Sequence, residues 1–216
     1  MLKLYYIPNA CSMAAHIVLE ESGAAYESHA IDYFAGEHRT PEFLAMNPKG
    51  FVAVLMTDRG PVTENLAILA YVARAFPAAG LAPADPFDYA QVQSFNAFLS
   101  SGIHVAFRHL SRPTLFADGE LAAEALKRKV PEMTHYYFGL IEAQLADGRP
   151  WIHGDSYSIS DPYLFMYASY LQWGDRGDAD RFPLVRAHRE RVLARPATQS
   201  VIRQEGKGDP GLGPWS

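Results

Sequence analysis

The only cysteine of this 216-residue chain, Cys11, follows a short apolar stretch and precedes a helical pattern. The first turn of a helix carries backbone N–H groups without partners and the positive end of the helix dipole. These features can lower a cysteine pKa from about 8.5 to roughly 3.5–7.5. The position therefore predicts a thiol that reacts near neutral pH. The alternative is a structural side chain, because a free cysteine often acts as a small core residue.

A second group of polar residues, Thr63-Glu64-Asn65, stands at the predicted start of another helix. Backbone N–H groups and the Asn65 amide could hold a ligand carboxylate there, while Glu64 holds an ammonium group. This combination suits the amino-acid end of a ligand. The alternative is that Thr63 or Asn65 only caps the helix and that Glu64 complements the helix dipole.

The elements of the first third of the chain should bring these two groups together. Apolar and aromatic patterns predict strands at 2–6, 26–30, 51–57 and 62–63, and helices at 12–21, from 41 and at 64–76. The resulting order is βαβαββα. In such an α/β module, helix N-termini and strand ends lie along one edge, so the loops carrying Cys11, Val52 and Glu64 should converge there.

The rest of the chain predicts an all-helical domain. Residues 1–77 form the predicted α/β domain, 78–86 a linker rich in Ala, Gly and Pro, 87–205 the helical domain, and 206–216 an irregular tail. Helical spacing covers 88–110 and 120–145, and Pro131 should bend or interrupt the second of these helices. Ser158 and Asp161 have the spacing of a capping box at the start of a further helix, and two more helices follow near 184–194 and 198–204.

Composition narrows the functional classes. The net charge is −5, and the 19 Lys and Arg residues form no long cluster, which argues against nucleic acid as a partner. The N-terminus lacks the pattern of a secretory signal, and no apolar run approaches ~18 residues, so we expect a cytoplasmic protein without a membrane partner. One cysteine and eight scattered histidines predict no disulfide and no metal site.

Taken together, the motifs resemble those of the cytosolic glutathione transferases, most closely the bacterial beta class. The resemblance rests on Tyr6-x-Pro8-x-Ala10-Cys11-Ser12, Asn47-Pro48-Lys49-Gly50-x-Val52, Glu64-Asn65-x-Ala67-Ile68 and Ser158-x-x-Asp161. It extends from Leu2 to Glu205 and implies a thioredoxin-like domain followed by an all-α bundle. It also implies glutathione as co-substrate and a homodimer in which the small domain of one subunit packs against the helical domain of the other.

The resemblance assigns two residues to the chemical step and one to the helical side of the cleft. Cys11 matches the cysteine that faces the glutathione sulfur, and Ser12 matches a neighbouring hydroxyl that can donate to the thiolate. His104 matches a helix histidine that reaches toward the same cleft. Val105 stands where the beta class often has a lysine, so no cation from this helix is expected to lower the thiol pKa.

Four further residues match the glutathione-binding positions. Val52 corresponds to the residue whose backbone pairs with the cysteinyl part of glutathione, and Phe51 replaces a polar neighbour that often helps to hold the peptide. Glu64 and Asn65 fall where the family holds the γ-glutamyl group. Ala53 replaces a proline that is usually in cis, so the Val52-Ala53 bond is either cis or trans.

Three functions are compatible with these residues. The first is a detoxifying transferase that joins the glutathione thiolate to an electrophilic apolar small molecule. The second is thiol-disulfide exchange through Cys11, with glutathione resolving the mixed disulfide. The third is a ligand-binding member of the fold without catalysis. Aromatic residues of the helical part are candidates for an apolar substrate wall or for the core: Phe107, Phe116, Tyr167 and Trp173.

Overall fold

The computed structural model describes residues 1–172 and 179–212. A four-stranded sheet forms the first layer, from β1 (Leu2–Tyr6), β2 (Tyr26–Ala30), β3 (Val54–Thr57) and β4 (Gly60–Thr63). The strand order is β2-β1-β3-β4, in which β1 runs parallel to β2 and antiparallel to β3, and β3 pairs antiparallel with β4. Together with the three helices of this part, the sheet confirms the predicted βαβαββα order.

Helices α1 (Met13–Ser22), α2 (Pro41–Met46) and α3 (Asn65–Ala75) complete the N-terminal part. Every residue from Met13 to Leu19 is buried, because α1 contacts β1 and α3 as well as helices of the C-terminal part. This helix therefore belongs to one apolar core that runs through both parts of the chain.

The predicted strand at 51–57 is wrong in its first three residues, since β3 begins at Val54. Part of the reason is local, because the side chain of Asn47 donates a 2.7 Å hydrogen bond to the carbonyl oxygen of Phe51. The Val52-Ala53 peptide bond is cis. The segment before β3 is thus a loop and not part of the sheet.

The C-terminal part is mostly helical in its described residues. It contains α4 (Pro86–Phe98), α5 (His104–Ser111), α6 (Glu120–Leu145), α7 (Ser160–Tyr170), α8 (Pro183–Leu193) and α9 (Pro196–Glu205), with short 3-10 turns at Pro77–Ala79, Pro113–Leu115, Ala179–Arg181 and Pro210–Leu212. A loop with an isolated bridge between Trp151 and Gly154 joins α6 to α7. Among the helices that the structure describes, none is long and apolar enough to cross a membrane.

Two helix predictions need correction. The stretch 88–110 is not one regular helix, because a π-helical turn at Leu99–Ile103 separates α4 from α5. Of the two effects predicted for Pro131, the interruption is wrong, because α6 continues through this residue from Glu120 to Leu145. Pro131 removes only one backbone donor from a 26-residue helix whose buried residues lie on both sides of it.

The predicted capping box at the start of α7 is formed in one of its two halves, because the Ser158 hydroxyl accepts from the N–H of Ser160 at 3.3 Å and not from that of Asp161. One carboxylate oxygen of Asp161 accepts a 2.7 Å hydrogen bond from the backbone N–H of Ser158. The other oxygen accepts from the N–H of Ile152 at 3.0 Å and lies 2.8 Å from Nε2 of His188. Asp161 is fully buried, so these contacts fix the start of α7 and join it to α8.

Candidate active site

A cavity of about 350 Å³ lies between the loops at one edge of the sheet and helix α5. The structure brings to its wall five of the predicted site residues: Cys11, Phe51, Val52, Glu64 and His104. These residues come from four separate segments, so the predicted convergence of loops is observed. Ser12 and Asn65 do not line the cavity.

Cys11 is half-buried in the cavity wall, just before α1. Loss of hydration raises the pKa of its thiol to about 11, although the positive charges of Arg112 and Arg108 act in the opposite direction. The predicted bias toward thiolate is therefore wrong for this structure, because the cost of removing the thiolate from water exceeds the gain from nearby positive charge. The Cys11 side chain is a neutral thiol near neutral pH.

The Ser12 hydroxyl does not face the cavity, contrary to the prediction that it donates to the glutathione thiolate. Its side chain is fully buried and lies against the loop at the end of β1. The hydroxyl donates to the carbonyl oxygen of Ile7 at 3.0 Å and accepts from the Ile7 N–H at 3.0 Å. A hydroxyl that is committed to the backbone in this way cannot donate to a ligand thiolate, so Ser12 shapes the loop that carries Cys11.

The N-terminus of α3 is open. No side chain caps this helix, so the alternative in which Thr63 or Asn65 serves as its cap is wrong. The amide nitrogen of Asn65 instead donates a 2.9 Å hydrogen bond to the carbonyl oxygen of Cys11. Asn65 thus holds the Cys11 loop against α3, and the first N–H groups of the helix keep no intrahelical partner.

Glu64 precedes this helix in a positive-φ conformation, at φ 73°. Its carboxylate forms an ion pair with Lys49, and the side chain is 62% exposed. Because the carboxylate stands at the cavity wall and keeps access to solvent, it can also accept hydrogen bonds from an ammonium group of a ligand.

Val52 also belongs to the wall of this cavity. Within residues 1–172 and 179–212, its N–H and C=O form no hydrogen bond with the backbone or with a side chain. Backbone polar groups beside a cavity require water or a ligand as partners. The loop before β3 can therefore pair with an extended peptide.

His104 begins α5 and faces the cavity from the helical side. Burial and the charges of Arg108 and Arg112 lower the pKa of its imidazole to about 4. The ring lies 5.8 Å from the ring of Tyr167, measured between centroids. His104 is consequently neutral near pH 7, with one nitrogen that donates and one that accepts.

Arg108 and Arg112 are cavity residues that the sequence interpretation missed. They follow His104 at spacings of four and eight residues, which places Arg108 on the same face of α5 as His104 and Arg112 just past the end of the helix. This spacing was the available signal. The expectation that this helix brings no cation near the thiol is wrong, because both guanidinium groups act on the pKa of Cys11.

The aromatic candidates of the helical part divide between cavity and core. Phe107 lines the cavity together with Tyr170, whereas Tyr167 is fully buried. Phe116 is 42% exposed and is not part of the cavity wall. Trp173 lies outside the described residues.

In the described ranges, no group of three or more His, Cys, Asp or Glu side chains is arranged to hold a metal ion.

Comparison with known proteins gives the family. Residues 1–74 match the family described as glutathione S-transferase, N-terminal domain, and residues 107–204 match glutathione S-transferase, C-terminal domain. A glutathione S-transferase from Xanthomonas campestris is 30% identical over 208 residues, which cover 95% of this chain and 99% of that protein. The chain belongs to the glutathione S-transferase family.

Solved glutathione transferases agree with this membership. A homologue from Sulfitobacter, crystallised with bound glutathione, is 34% identical with a TM-score of 0.88, covering 94% of this chain and 98% of that one. A bacterial beta class glutathione S-transferase from Sphingomonas chungbukensis is 32% identical with a TM-score of 0.78, covering 94% and 98%. The predicted fold, enzyme class and co-substrate are confirmed at the level of the glutathione transferase family.

Proposed function

We propose that this glutathione transferase binds glutathione along the sheet edge of the cavity and joins its sulfur to an electrophilic carbon. One observation carries the proposal. The cavity wall brings together Val52, Glu64 and Cys11, and the main chain of Val52 has no hydrogen-bond partner among the described residues. These groups match the cysteinyl backbone, the γ-glutamyl ammonium and the sulfur of one tripeptide.

The γ-glutamyl end would lie at α3. The ammonium group would pair with Glu64, and its neighbouring carboxylate would accept hydrogen bonds from the open N-terminus of the helix. Asn65 acts indirectly, because its hydrogen bond to the Cys11 carbonyl fixes the distance between the two ends of the peptide site.

The thiol step would use Cys11 as a donor and not as a nucleophile. A neutral Cys11 thiol can donate a weak hydrogen bond to the glutathione thiolate, and Arg108 and Arg112 favour that negative charge. The glutathione thiol loses its proton to solvent, the thiolate sulfur attacks the electrophilic carbon, and the leaving group departs with its bonding electrons. Proximity in the cavity supplies the rest of the rate acceleration.

Thiol-disulfide exchange through Cys11 is the weaker candidate. Exchange requires a thiolate as the attacking species, and a pKa of about 11 leaves little thiolate near pH 7. Replacement of Cys11 with Ser separates the two functions, since conjugation should persist in the variant and any exchange activity should disappear.

We further propose that the protein belongs to the beta class and acts as a cytoplasmic homodimer. The order of the sequence motifs and the likeness to the beta class structure support the class. The domain boundaries proposed are 1–77, 78–86 and 87–205, with a tail from 206.

Calorimetric titration with glutathione tests this function directly. We expect one saturable site per chain, and Glu64→Gln should weaken binding about tenfold because a charge-assisted hydrogen bond to the ammonium is lost. Glu132→Gln is a matched control, since Glu132 also forms an exposed ion pair with a lysine but lies on α6. Absence of binding, or equal weakening by both substitutions, contradicts the proposed site.

A further inference from the structure

Two arginines of the cavity wall, Arg108 and Arg112, have no acidic partner among the residues that the structure describes. Arg108 lies on α5, and Arg112 follows one turn later, just past the end of the helix. In the described part of the chain, neither guanidinium forms an ion pair or a side-chain hydrogen bond with another residue. A guanidinium group carries five N–H donors and stays charged at all physiological pH values.

Aromatic rings hold both side chains in place. The guanidinium carbon of Arg108 lies 5.4 Å from the ring centroid of Phe51 and 5.7 Å from that of Phe116. The guanidinium carbon of Arg112 lies 4.4 Å from the ring centroid of Tyr33. Such contacts orient the planar group and leave its N–H donors available, so the site is preorganised for a planar anion.

The other charges at the cavity wall do not neutralise these arginines. Lys49 and Glu64 form an ion pair with each other. The pKa values of His104 and His38 are both lowered, so these imidazoles are uncharged near pH 7. The described residues of the cavity wall therefore carry an excess of two positive charges in a chain whose net charge is −5.

The two cations also lie near the reacting sulfur. Both lower the pKa of Cys11 through their charge, so an anion bound between them would be held close to the thiol. Phe107 and Tyr170 add apolar surface to the same wall. The wall thus combines an aromatic surface with two anion-binding side chains.

We propose that the second substrate of this enzyme carries a carboxylate, which Arg108 and Arg112 bind while the apolar wall holds the rest of the molecule. This inference rests on the proposed transferase function. Glutathione itself could supply the same chemistry through its glycyl carboxylate, and the experiment must separate the two sources.

A matched pair of electrophiles provides that test, namely 4-chloro-3,5-dinitrobenzoate and its neutral methyl ester. In both, the thiolate sulfur forms a bond to the ring carbon, the C–Cl bond breaks, chloride leaves with the bonding electrons, and the thiol proton passes to solvent. For each compound, kcat/KM is divided by the rate constant of the uncatalysed reaction, and the value for the acid is then divided by the value for the ester. An effect of the arginines on thiol activation changes both values equally and therefore cancels in this ratio.

We expect the wild-type ratio to favour the acid at least about tenfold, and Arg108→Gln or Arg112→Gln to reduce it about tenfold. The Lys variants should keep part of the preference, because they retain the charge without the fork of donors. Arg74→Gln is the control, because Arg74 also stacks on an aromatic ring, that of Tyr89, but lies outside the cavity.

Two kinetic outcomes would overturn the inference and leave the transferase function intact. The first is a wild-type ratio near one. The second is an unchanged ratio in the arginine variants with a raised KM for glutathione, which would assign both arginines to the glycyl carboxylate.

Lack of turnover with either compound would contradict the proposed function. The proposed carboxylate site would then be tested by a binding measurement that does not depend on turnover. Calorimetry would compare 3,5-dinitrobenzoate, which has no leaving group, with its methyl ester. Tighter binding of the acid that is lost in the double Arg variant supports the anion site, and equal binding overturns it.

Discussion

Alkylation of Cys11 by iodoacetamide should be slow in the folded protein, because burial raises the pKa of its thiol to about 11 from an ordinary value of 9.0. Only the thiolate reacts at a useful rate. At about pH 8, a thiol of ordinary pKa is roughly one-tenth ionised, whereas a thiol with a pKa near 11 is roughly one-thousandth ionised. The folded protein should therefore react about one hundred times more slowly than the unfolded chain.

Intact-mass spectrometry can follow the reaction without ambiguity, since the chain has one cysteine. The same protein in guanidinium chloride is the control for an exposed thiol. A series from about pH 7 to 10.5 separates ionisation from access, because limited access slows the reaction at every pH but does not move the inflection. An inflection at or below the value for the unfolded chain would refute the argument that burial outweighs the two arginines.

Three substitutions test other contacts. In the unfolded chain His104 binds a proton below about pH 6.5, whereas in the folded protein it does so only near pH 4, so acid destabilises the wild-type protein. His104→Gln removes this effect. Urea unfolding should therefore show that the variant gains up to about 2 kcal/mol relative to wild type at about pH 5, compared with the difference at about pH 7.5. An equal pH dependence in wild type and variant would contradict the lowered pKa. Glu205→Ala should cost about 1–3 kcal/mol, since it leaves Nδ1 of the buried His16 without its partner at 2.9 Å and the N–H of Asn9 without its acceptor; a loss below about 1 kcal/mol would show that these contacts contribute little. Asp161→Ala should likewise lower the free energy of unfolding by at least about 3 kcal/mol, because it removes the partner of the buried His188, and a Tm close to that of wild type would exclude this role.

Local sequence signals were sufficient for the order of elements and for the start of α7. The strands and helices of the N-terminal part follow from short-range apolar periodicity, and the capping box depends on two residues three positions apart. These features could be predicted because the interactions that determine them lie within a few residues of each other.

The break between α4 and α5 could not be predicted in this way. The π-helical turn contains Gly102, where an added Cβ would lie 3.3 Å from the ring of Tyr137 on α6. The turn thus lies where two helices approach closely, and no pattern within 88–110 contains that contact. Its location matters because α5, which carries the helical side of the cavity, begins directly after it.

For the candidate active site as well, only the features set by nearby residues could be predicted from the sequence. The positions of Cys11 and Glu64 at helix starts could be read from the sequence, and the cavity brings both together. The ionisation of Cys11 could not be predicted from the sequence, because it depends on burial and on arginines about one hundred residues away. The commitment of the Ser12 hydroxyl to Ile7 depends on the conformation of a loop, which the sequence motif does not specify.

A crystal structure of the protein with glutathione is the measurement that tests the central claim most directly. We predict that the γ-glutamyl ammonium contacts Glu64, that the cysteinyl backbone pairs with the main chain of Val52, and that the sulfur faces Cys11. A tripeptide bound elsewhere in the cavity, with its sulfur away from Cys11, would contradict the account.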